Sequence, residues 1–327
     1  MYAIRQHEFG PAENLRYEEV PNPDPGLGQV RVAVEAAGVH LLDTAIRQGT
    51  SGGPFPLPDL PMTPGREVAG VIESAGPDVD PTWLGRRVVA HLGWASGGYA
   101  ELAVVPVESL HVLPDGMAAD AAVAMIGTGR TAMGILEVAG LKADDVLLVP
   151  AAAGGLGSLF VQAGRNAGAT VVGLAGGPRK VEQVAALGAD VAVDYLQPDW
   201  PEQVQKALGP DVGVTVVLDG VGGDVGRATL DLFGVGGRLV MFGWSAGAVT
   251  PITTEDLLPK GLSVTWIGPR IIRRPGGLRP LETAALAEAA SGRWVPLVGQ
   301  HFPLASAAAA HKALESRATV GKTVLVP

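Results

Sequence analysis

The stretch Val146-Leu-Leu-Val-Pro-Ala-Ala-Ala-Gly-Gly-Leu-Gly-Ser158 decides the fold of this chain. A short apolar run, typical of a buried strand, leads into a glycine-rich turn, and a helix-like stretch follows over residues 159–165. In this context Gly154 lets the backbone approach a pyrophosphate, and Gly157 lets the helix pack on the strand. The helix N-terminus adds free N–H groups and a positive dipole end. We therefore predict a dinucleotide site, although Ala152 replaces the first glycine of the G-x-G-x-x-G pattern.

The chain of 327 residues is long enough for two hydrophobic cores, and its sequence pattern changes near residue 122. From about residue 122, apolar runs alternate with helix-like stretches, and this pattern predicts a parallel sheet covered on both faces. A sixth run, residues 262–267, completes the strand count of a Rossmann fold. Before residue 122, short alternating runs separated by Gly and Pro predict a β-rich domain. We expect a Rossmann domain over residues 122–267 and a β-rich catalytic domain over residues 1–121 and 268–327.

Composition excludes several classes of function. The net charge is -9 without any block of five like charges, which argues against nucleic acid and against an anionic membrane surface. The chain has no cysteine, so disulfides, thiolate catalysis and cysteine zinc sites are excluded. No uninterrupted apolar segment reaches ~18 residues, so we predict no membrane span. The strand-like N-terminus does not resemble a signal peptide, and we expect a cytoplasmic protein.

The second strand of the Rossmann domain indicates which nicotinamide cofactor is used. An NAD-selecting fold needs an acidic residue ~20 positions after the glycines to hold the ribose 2′-hydroxyl. Here the strand continues into Gly176-Gly-Pro-Arg-Lys180, which contains no acid. Arg179 and Lys180 offer cationic donors to a 2′-phosphate, although two solvated charges at a helix start remain the alternative. We predict NADPH.

Seven motifs follow one another along the chain, at residues 36–49, 64–70, 129–132, 151–157, 188–195, 240–243 and 315–322. Together and in this order they resemble the zinc-free quinone oxidoreductase branch of the medium-chain dehydrogenase/reductase superfamily, which includes zeta-crystallin. The resemblance covers essentially the whole chain and implies an α/β fold, in which a doubly wound Rossmann sheet accompanies a β-rich, GroES-like catalytic domain. It also implies a homodimer.

The resemblance also implies roles for individual residues. Lys180 and Tyr195 would hold the 2′-phosphate, with Tyr195 as a simple core aromatic the alternative. Thr131, Phe242 and Gly243 would border the nicotinamide, and Arg317 would lie near the cofactor. The pyrophosphate would be cradled by Gly154, Gly155, Leu156, Gly157 and Ser158. Gly220 and Val221 follow the fourth Rossmann strand, at the carboxyl end where such sheets bind ligands.

The chain departs from the zinc-containing relatives at the metal site. They place a cysteine where this chain has His40 and a histidine where it has Arg66, so no three-ligand catalytic zinc is expected. We take His40, Asp43 and Thr131 as candidate catalytic residues. His40 would donate a hydrogen bond or a proton to a developing enolate, or else be satisfied by backbone. Asp43 would be held by Arg66, which would make both residues structural. The remaining histidines are expected to be ordinary surface or core residues.

Without metal or cysteine, the cofactor must carry the reaction. We expect hydride transfer from NADPH to a small electrophilic acceptor, either a quinone or an α,β-unsaturated carbonyl. Two alternatives stay open: a nucleotide-binding protein with little turnover, and an enoyl-thioester reductase in which Arg270, Arg273 and Arg274 bind a coenzyme A phosphate. The sixth strand would lie at the edge of the Rossmann sheet, and we expect a homodimer joined there.

Overall fold

The computed structural model describes residues 1–50, 56–94 and 96–327. Its internal contacts divide the chain into two compact units. The first unit combines Met1–Gly127 with Pro296–Pro327, and the second is Thr128–Val295. Each unit is described separately below.

The strands are named in chain order. They are β1 (Tyr2–Gln6), β2 (Leu15–Glu19), β3 (Gln29–Val39), β4 (Glu67–Ala75), β5 (Arg87–His91), β6 (Leu102–Pro106), β7 (Leu110–Val112), β8 (Val146–Val149), β9 (Thr170–Ala175), β10 (Val191–Asp194), β11 (Val214–Asp219), β12 (Phe233–Met241), β13 (Ser263–Trp266), β14 (Val298–Pro303) and β15 (Lys322–Val326).

The α-helices follow the same convention. They are α1 (Leu41–Gln48), α2 (Ala119–Val123), α3 (Arg130–Ala139), α4 (Gly155–Ala167), α5 (Pro178–Ala186), α6 (Trp200–Leu208), α7 (Gly223–Leu232), α8 (Thr254–Leu257), α9 (Gly268–Ile272), α10 (Arg279–Ala290) and α11 (Ala307–Glu315). A π-helical turn, Ala124–Gly129, joins α2 to α3.

The second unit is a doubly wound parallel sheet. Its six strands lie in the order β10-β9-β8-β11-β12-β13, the arrangement that the Rossmann pattern predicts. The central strand β8 is buried along its whole length, because helices cover both faces of the sheet. Gly164 on α4 permits close approach, since a Cβ there would lie 2.7 Å from Val171 and 2.8 Å from Leu147. The predicted fold class is confirmed.

The first unit is a mainly antiparallel β structure. Its main sheet runs β14-β15-β3-β4-β5-β7, with β6 paired to β3, and β1 pairs separately with β2. Alternate residues are buried in β6 and in β3 as far as Glu35, as expected for strands with one face on a core, and the last four residues of β3 are all buried. Residues of this unit's core come from β3, β4, β5 and β6 and from helix α11. The returning segment supplies β14, α11 and β15, and β15 pairs antiparallel with β3.

The unit boundary differs from the one expected from the sequence. The chain returns to the β-rich unit at Pro296, not near residue 268, so α9 and α10 belong to the second unit. Helix α10 packs against α3, and Arg130 on α3 forms a 3.0 Å ion pair with Glu282 on α10. Sequence pattern identifies α10 as a helix but does not show which core it covers.

One helical stretch has the length and apolar composition to cross a membrane. Among the described residues it is the stretch Ala119–Ala139, and 61% of its apolar 18-residue window is buried inside the protein. Burial of this kind is typical of a core helix in a soluble protein.

His311 on α11 is a fully buried histidine in the first unit. Its Nε2 atom lies 3.2 Å from the Tyr99 hydroxyl, and its Nδ1 atom has no hydrogen-bond partner among the described residues. Burial lowers the pKa of His311 to about 4, although the nearby Asp43 carboxylate acts in the opposite direction. His311 is therefore neutral in the folded protein, which agrees with its expected role as a core residue.

We expect the free energy of unfolding to fall as the pH drops from about 6.5 to about 4. The unfolded chain binds a proton at His311 in this window and the folded chain does not, so about 3 kcal/mol is lost across it. Urea titrations at several pH values check this. His311→Gln should flatten the slope between these values, whereas His7→Gln, at the surface beside Glu18, should not. Equal slopes in all three proteins would contradict this account of the core.

Candidate functional site

The glycine turn after β8 ends in the N-terminus of α4. Ala151 adopts a left-handed conformation at φ 53, and the Ala152 N–H donates to the Leu174 carbonyl at 2.8 Å, which ties the turn to β9. Gly154 is the N-cap in extended conformation, and no side chain caps the helix. The N–H groups of the first helical turn therefore lack a side-chain acceptor and are available to an anion.

The two glycines that the sequence pattern emphasised have different surroundings. A Cβ on Gly157 would lie 2.3 Å from the Ala151 oxygen and 2.7 Å from the Ala152 Cα, so the backbone requires glycine here. A Cβ on Gly154 would meet only the Ala151 oxygen, at 3.2 Å, and its other sides are open. Ser158 is buried, and its hydroxyl donates to the Gly155 carbonyl at 3.0 Å. The Ser158 side chain thus serves the helix itself.

The residues expected to hold the 2′-phosphate lie in and next to the turn between β9 and α5. Lys180 lies in the first turn of α5, and the ring of Tyr195 lies 3.6 Å from the position that a Cβ on Gly176 would take. Asp194, which sequence pattern did not reveal, accepts hydrogen bonds from the N–H groups of Gly177 at 2.9 Å and of Leu196 at 3.0 Å. These hydrogen bonds from the backbone lower the pKa of the Asp194 carboxyl. The ionised carboxylate thus holds the backbone of this turn in place.

The loop after β11 is held by a buried aspartate. The Asp219 carboxylate accepts from the N–H groups of Val221 at 2.8 Å and Gly222 at 2.9 Å, and from the buried hydroxyl of Thr250. Gly220 makes room for Phe242, since a Cβ at Gly220 would lie 2.3 Å from that ring. The predicted cofactor neighbours after β11 and β12 are thus in contact with one another.

The other residues predicted to border the cofactor lie on different elements of the structure. Gly243 follows Phe242, and a Cβ on Gly243 would lie 3.1 Å from the Gly220 oxygen. Thr131 is half-buried in the first turn of α3. Arg317 follows α11 in a left-handed conformation at φ 58 and is exposed. Arg317 belongs to the first unit and Thr131 to the second.

His40 stands at the end of β3 in a cluster of buried charge. Its Nε2 atom lies 2.7 Å from Oε1 of Glu67 on β4 and 3.0 Å from Nζ of Lys322 on β15. The Lys322 ammonium donates to Oε2 of Glu67 at 2.6 Å. Burial would raise the pKa of Glu67, but the charges of His40 and Lys322 outweigh burial and hold that pKa well below its usual range. His40 was predicted as a site residue from the sequence, whereas both of its partners were missed.

A second cluster surrounds Asp43 in α1. Its carboxylate accepts from the backbone N–H of His40 at 2.8 Å and from the Tyr99 hydroxyl at 3.1 Å. Arg66 Nε lies 3.5 Å from Asp43 Oδ1, and the Arg66 guanidinium stands 5.8 Å from the Trp94 ring centre. The expected Asp43–Arg66 pair is present. Asp43 caps α1 and orients His40 through its backbone.

These residues do not fit a catalytic zinc. The position of one family ligand is taken by the guanidinium of Arg66, a permanent cation paired with Asp43. The other is His40, whose Nε2 atom already contacts Glu67 and Lys322. Among the described residues, no group of three or more His, Cys, Asp or Glu side chains is arranged to hold a metal ion. We derive no step through zinc.

Two family models match the chain. Residues 26–115 match the alcohol dehydrogenase GroES-like domain, and residues 155–271 match the family described as zinc-binding dehydrogenase. The second match covers most of the Rossmann sheet. The positions of His40, Glu67 and Lys322 all lie outside the residues of that match.

Relatives of known activity match the whole length. A 2-haloacrylate reductase of Burkholderia sp is 33% identical over 98% of this chain and 97% of its own length. Quinone oxidoreductase 1 of Escherichia coli (strain K12) is 32% identical over 99% of both chains. The crystal structure of Escherichia coli quinone oxidoreductase in complex with NADPH superposes with a TM-score of 0.88 at 32% identity, covering 100% of both chains. With this fold and no zinc ligand set, the chain belongs to the zinc-free quinone oxidoreductase branch of the medium-chain dehydrogenase/reductase superfamily.

Proposed function

We propose that this protein is an NADPH-dependent, zinc-independent oxidoreductase that reduces a quinone or an α,β-unsaturated carbonyl compound. The observation that carries the proposal is the uncapped α4 N-terminus behind a glycine turn, in a sheet of Rossmann order. Related quinone oxidoreductases of Escherichia coli and Thermus thermophilus have structures in complex with NADPH. When bound, NADPH supplies the hydride.

Two groups of residues hold the cofactor. The N–H groups that follow Gly154, from Gly155 to Gly157, face the pyrophosphate at the positive end of α4. Lys180 contributes a cation to the 2′-phosphate, with Tyr195 beside it. Asp194 is held in the turn rather than at the ribose, because its Oδ1 atom accepts from two backbone N–H groups. This arrangement favours NADPH over NADH.

The acceptor is a small molecule with a conjugated electron-poor system. Hydride addition to a quinone or an enone delocalises the new charge through that system, so no strong Lewis acid is needed. Interconversion of a simple alcohol and its ketone would require zinc or an activated hydroxyl group to transfer the proton of the alcohol. The 2-haloacrylate reductase among the relatives is named for an activated alkene of this kind.

The enoyl-thioester alternative relies on the basic residues that follow β13. Arg274 forms an ion pair with Glu137 on α3, so one of the three guanidinium groups is already neutralised. Arg270 and Arg273 are exposed. None of the contacts described for these arginines favours a coenzyme A phosphate over solvent.

We expect the purified protein to oxidise NADPH with 1,4-naphthoquinone or with a cyclic enone, and to do so faster than with crotonyl-CoA. Absorbance of NADPH during turnover measures each rate. Preference for crotonyl-CoA would establish the thioester alternative. Tight NADPH binding with no turnover of any acceptor would instead indicate a nucleotide-binding protein without this activity.

Three substitutions separate packing from cofactor binding. Gly154→Ala should change the melting temperature much less than Gly157→Ala, because its Cβ would meet only the Ala151 oxygen, at 3.2 Å, yet it should weaken NADPH and NADH alike by blocking the pyrophosphate. Lys180→Ala should weaken NADPH about 10-fold or more and leave NADH unchanged. Gly157→Ala should destabilise the fold by about 1–3 kcal/mol, since backbone atoms obstruct its Cβ.

Fluorescence titration with both cofactors and thermal unfolding measure these effects. If Gly154→Ala binds NADPH as tightly as the unmodified protein, the pyrophosphate is not at this turn. If the unmodified protein binds both cofactors equally, Lys180 and Tyr195 do not recognise a 2′-phosphate.

We also propose a homodimer joined along β13, which is the edge strand of the parallel sheet. Trp266 at its end is 38% exposed, and pairing with a second copy would cover it and the open strand edge. Trp266→Glu should therefore yield monomers in light scattering. Leu258→Glu, at a 73% exposed position of the same unit, is the control that should stay dimeric. A monomeric unmodified protein would contradict this. The cytoplasmic location stays a prediction.

A further inference from the structure

Arg66 has a largely buried guanidinium group whose hydrogen-bond donors are not used within the described part of the chain. Its side chain is 11% exposed, and its Nε atom is buried without a hydrogen-bond partner among the described residues. Oδ1 of Asp43 lies 3.5 Å from Nε, which is an ion-pair contact and longer than a normal hydrogen bond. The two Nη atoms likewise make no hydrogen bond to a described residue. Because a guanidinium carries five N–H donors in a planar fork, Arg66 retains donors for a ligand.

The pair with Asp43 positions this guanidinium without occupying its fork. Oδ2 of Asp43 accepts from the His40 N–H at 2.8 Å and from the Tyr99 hydroxyl at 3.1 Å, so these two groups satisfy that oxygen. An arginine that binds a carboxylate tightly commonly donates two parallel hydrogen bonds to it. Arg66 instead approaches Asp43 through Nε, at 3.5 Å. Asp43 thus supplies a compensating charge and leaves the terminal Nη atoms of Arg66 to another acceptor.

The surroundings of Arg66 leave room for a ligand. The guanidinium lies 5.8 Å from the centre of the Trp94 ring, and Trp94 is 57% exposed. Arg66 also lines a cavity together with Ile46 and Met62. Arg66 and His40 hold the positions of two zinc ligands in the zinc-containing relatives, and all of these residues belong to the first unit. A cationic fork and an exposed aromatic ring therefore occur together beside the candidate catalytic histidine.

A carboxylate is the ligand that these groups suit best. Its two oxygens match the fork of a guanidinium in a bidentate contact. A carboxylate brings one negative charge close to Asp43, whereas a phosphate would bring up to two and would be repelled more strongly. The ring of Trp94 adds an apolar face for a flat conjugated system. Because the chain carries a net charge of -9, a preference for an anionic acceptor requires a local contact of this kind.

We propose that Arg66 binds a carboxylate group of the acceptor, and that the acceptor is an α,β-unsaturated carbonyl compound with a carboxylate close to its conjugated system. This inference rests on the proposed reductase function and names the acceptor class within it. Arg66 is a substrate-binding residue in this reaction, and Asp43 is the positioning residue that holds its guanidinium.

The kinetic test uses two acceptors that differ mainly in charge. They are 5-oxocyclohex-3-ene-1-carboxylate, a cyclic enone whose carboxylate lies outside the conjugated system, and its primary amide. The unmodified protein should reduce the carboxylate with a kcat/KM about 10-fold or more above that of the amide, because a charge-assisted bidentate contact is worth at least this factor. Arg66→Gln should remove this preference, mainly by raising KM for the carboxylate, and should change kcat/KM for the amide less than about 3-fold.

Two further variants test whether the fork itself is responsible. Arg66→Lys keeps a positive charge beside Asp43 and so protects the fold, but it should lower the preference for the carboxylate about 3-fold or more, because lysine has no planar fork. Arg86→Gln is the matched control. Arg86 is exposed on the same unit and also lies over a tryptophan, at 5.3 Å from the centre of the Trp83 ring. Its removal should leave both rates unchanged, and thermal unfolding checks that each variant is folded.

A binding measurement without turnover separates this inference from the reductase function. It uses the saturated compounds 3-oxocyclohexane-1-carboxylate and its primary amide, which have no conjugated double bond to accept hydride. Calorimetric titration in the presence of NADP⁺ should show about 10-fold tighter binding of the carboxylate by the unmodified protein, and no preference in Arg66→Gln.

The outcomes are distinct. Equal effects of Arg66→Gln on the two enones, an unchanged preference in Arg66→Lys, or equal affinities of the unmodified protein for the two saturated compounds would overturn the carboxylate site. Absence of turnover with every acceptor would contradict the reductase function, and the calorimetric titration would still decide whether Arg66 binds a carboxylate.

Discussion

The buried ion pair between Glu67 and Lys322 constrains much of the first unit. Glu67 lies on β4 and Lys322 on β15, and β3 runs between these strands in the sheet. The two side chains meet across β3 at Gly38, where a Cβ would lie 2.1 Å from Glu67 Oε2 and 2.9 Å from Lys322 Cε. A side chain at this position would separate the charges and leave both buried without a partner, at a cost of several kcal/mol. Two residues later His40 reaches the same pair, where β3 gives way to α1.

Zinc-containing medium-chain relatives bind a metal ion at the position where this chain has a network of charged side chains. Arg66 is a permanent cation and is balanced by Asp43, while His40 is engaged by Glu67 and Lys322. Charge in the site is thus compensated by protein groups that can position an imidazole. In the second unit, lack of space requires glycine at two positions. A Cβ on Gly157 would lie 2.3 Å from the Ala151 oxygen, and a Cβ on Gly220 would lie 2.3 Å from the Phe242 ring.

The sequence predicted the parts of the structure that depend on local pattern. Unalternated apolar runs identified the parallel sheet, and the glycine turn around Gly154 identified the start of helix α4. Partners that are distant in sequence were not predicted: Glu67 and Lys322 are separated by 255 positions, and strand-like segments give no sign that a lysine among them is buried. Asp194 was not predicted because it lies at the end of β10, whereas the acidic residue of an NAD-selecting fold is expected after β9. The domain boundary was displaced because the pattern of α10 does not identify its neighbour α3.

The central claim is that charged side chains take the place of a metal in this reductase. Its most direct test is elemental analysis of the purified active enzyme, combined with NADPH oxidation before and after exhaustive chelation. The account predicts far less than one zinc per chain and an unchanged rate, since Arg66 and His40 are already engaged by protein partners. One tightly bound zinc per chain, with activity lost on its removal and restored on its return, would contradict it.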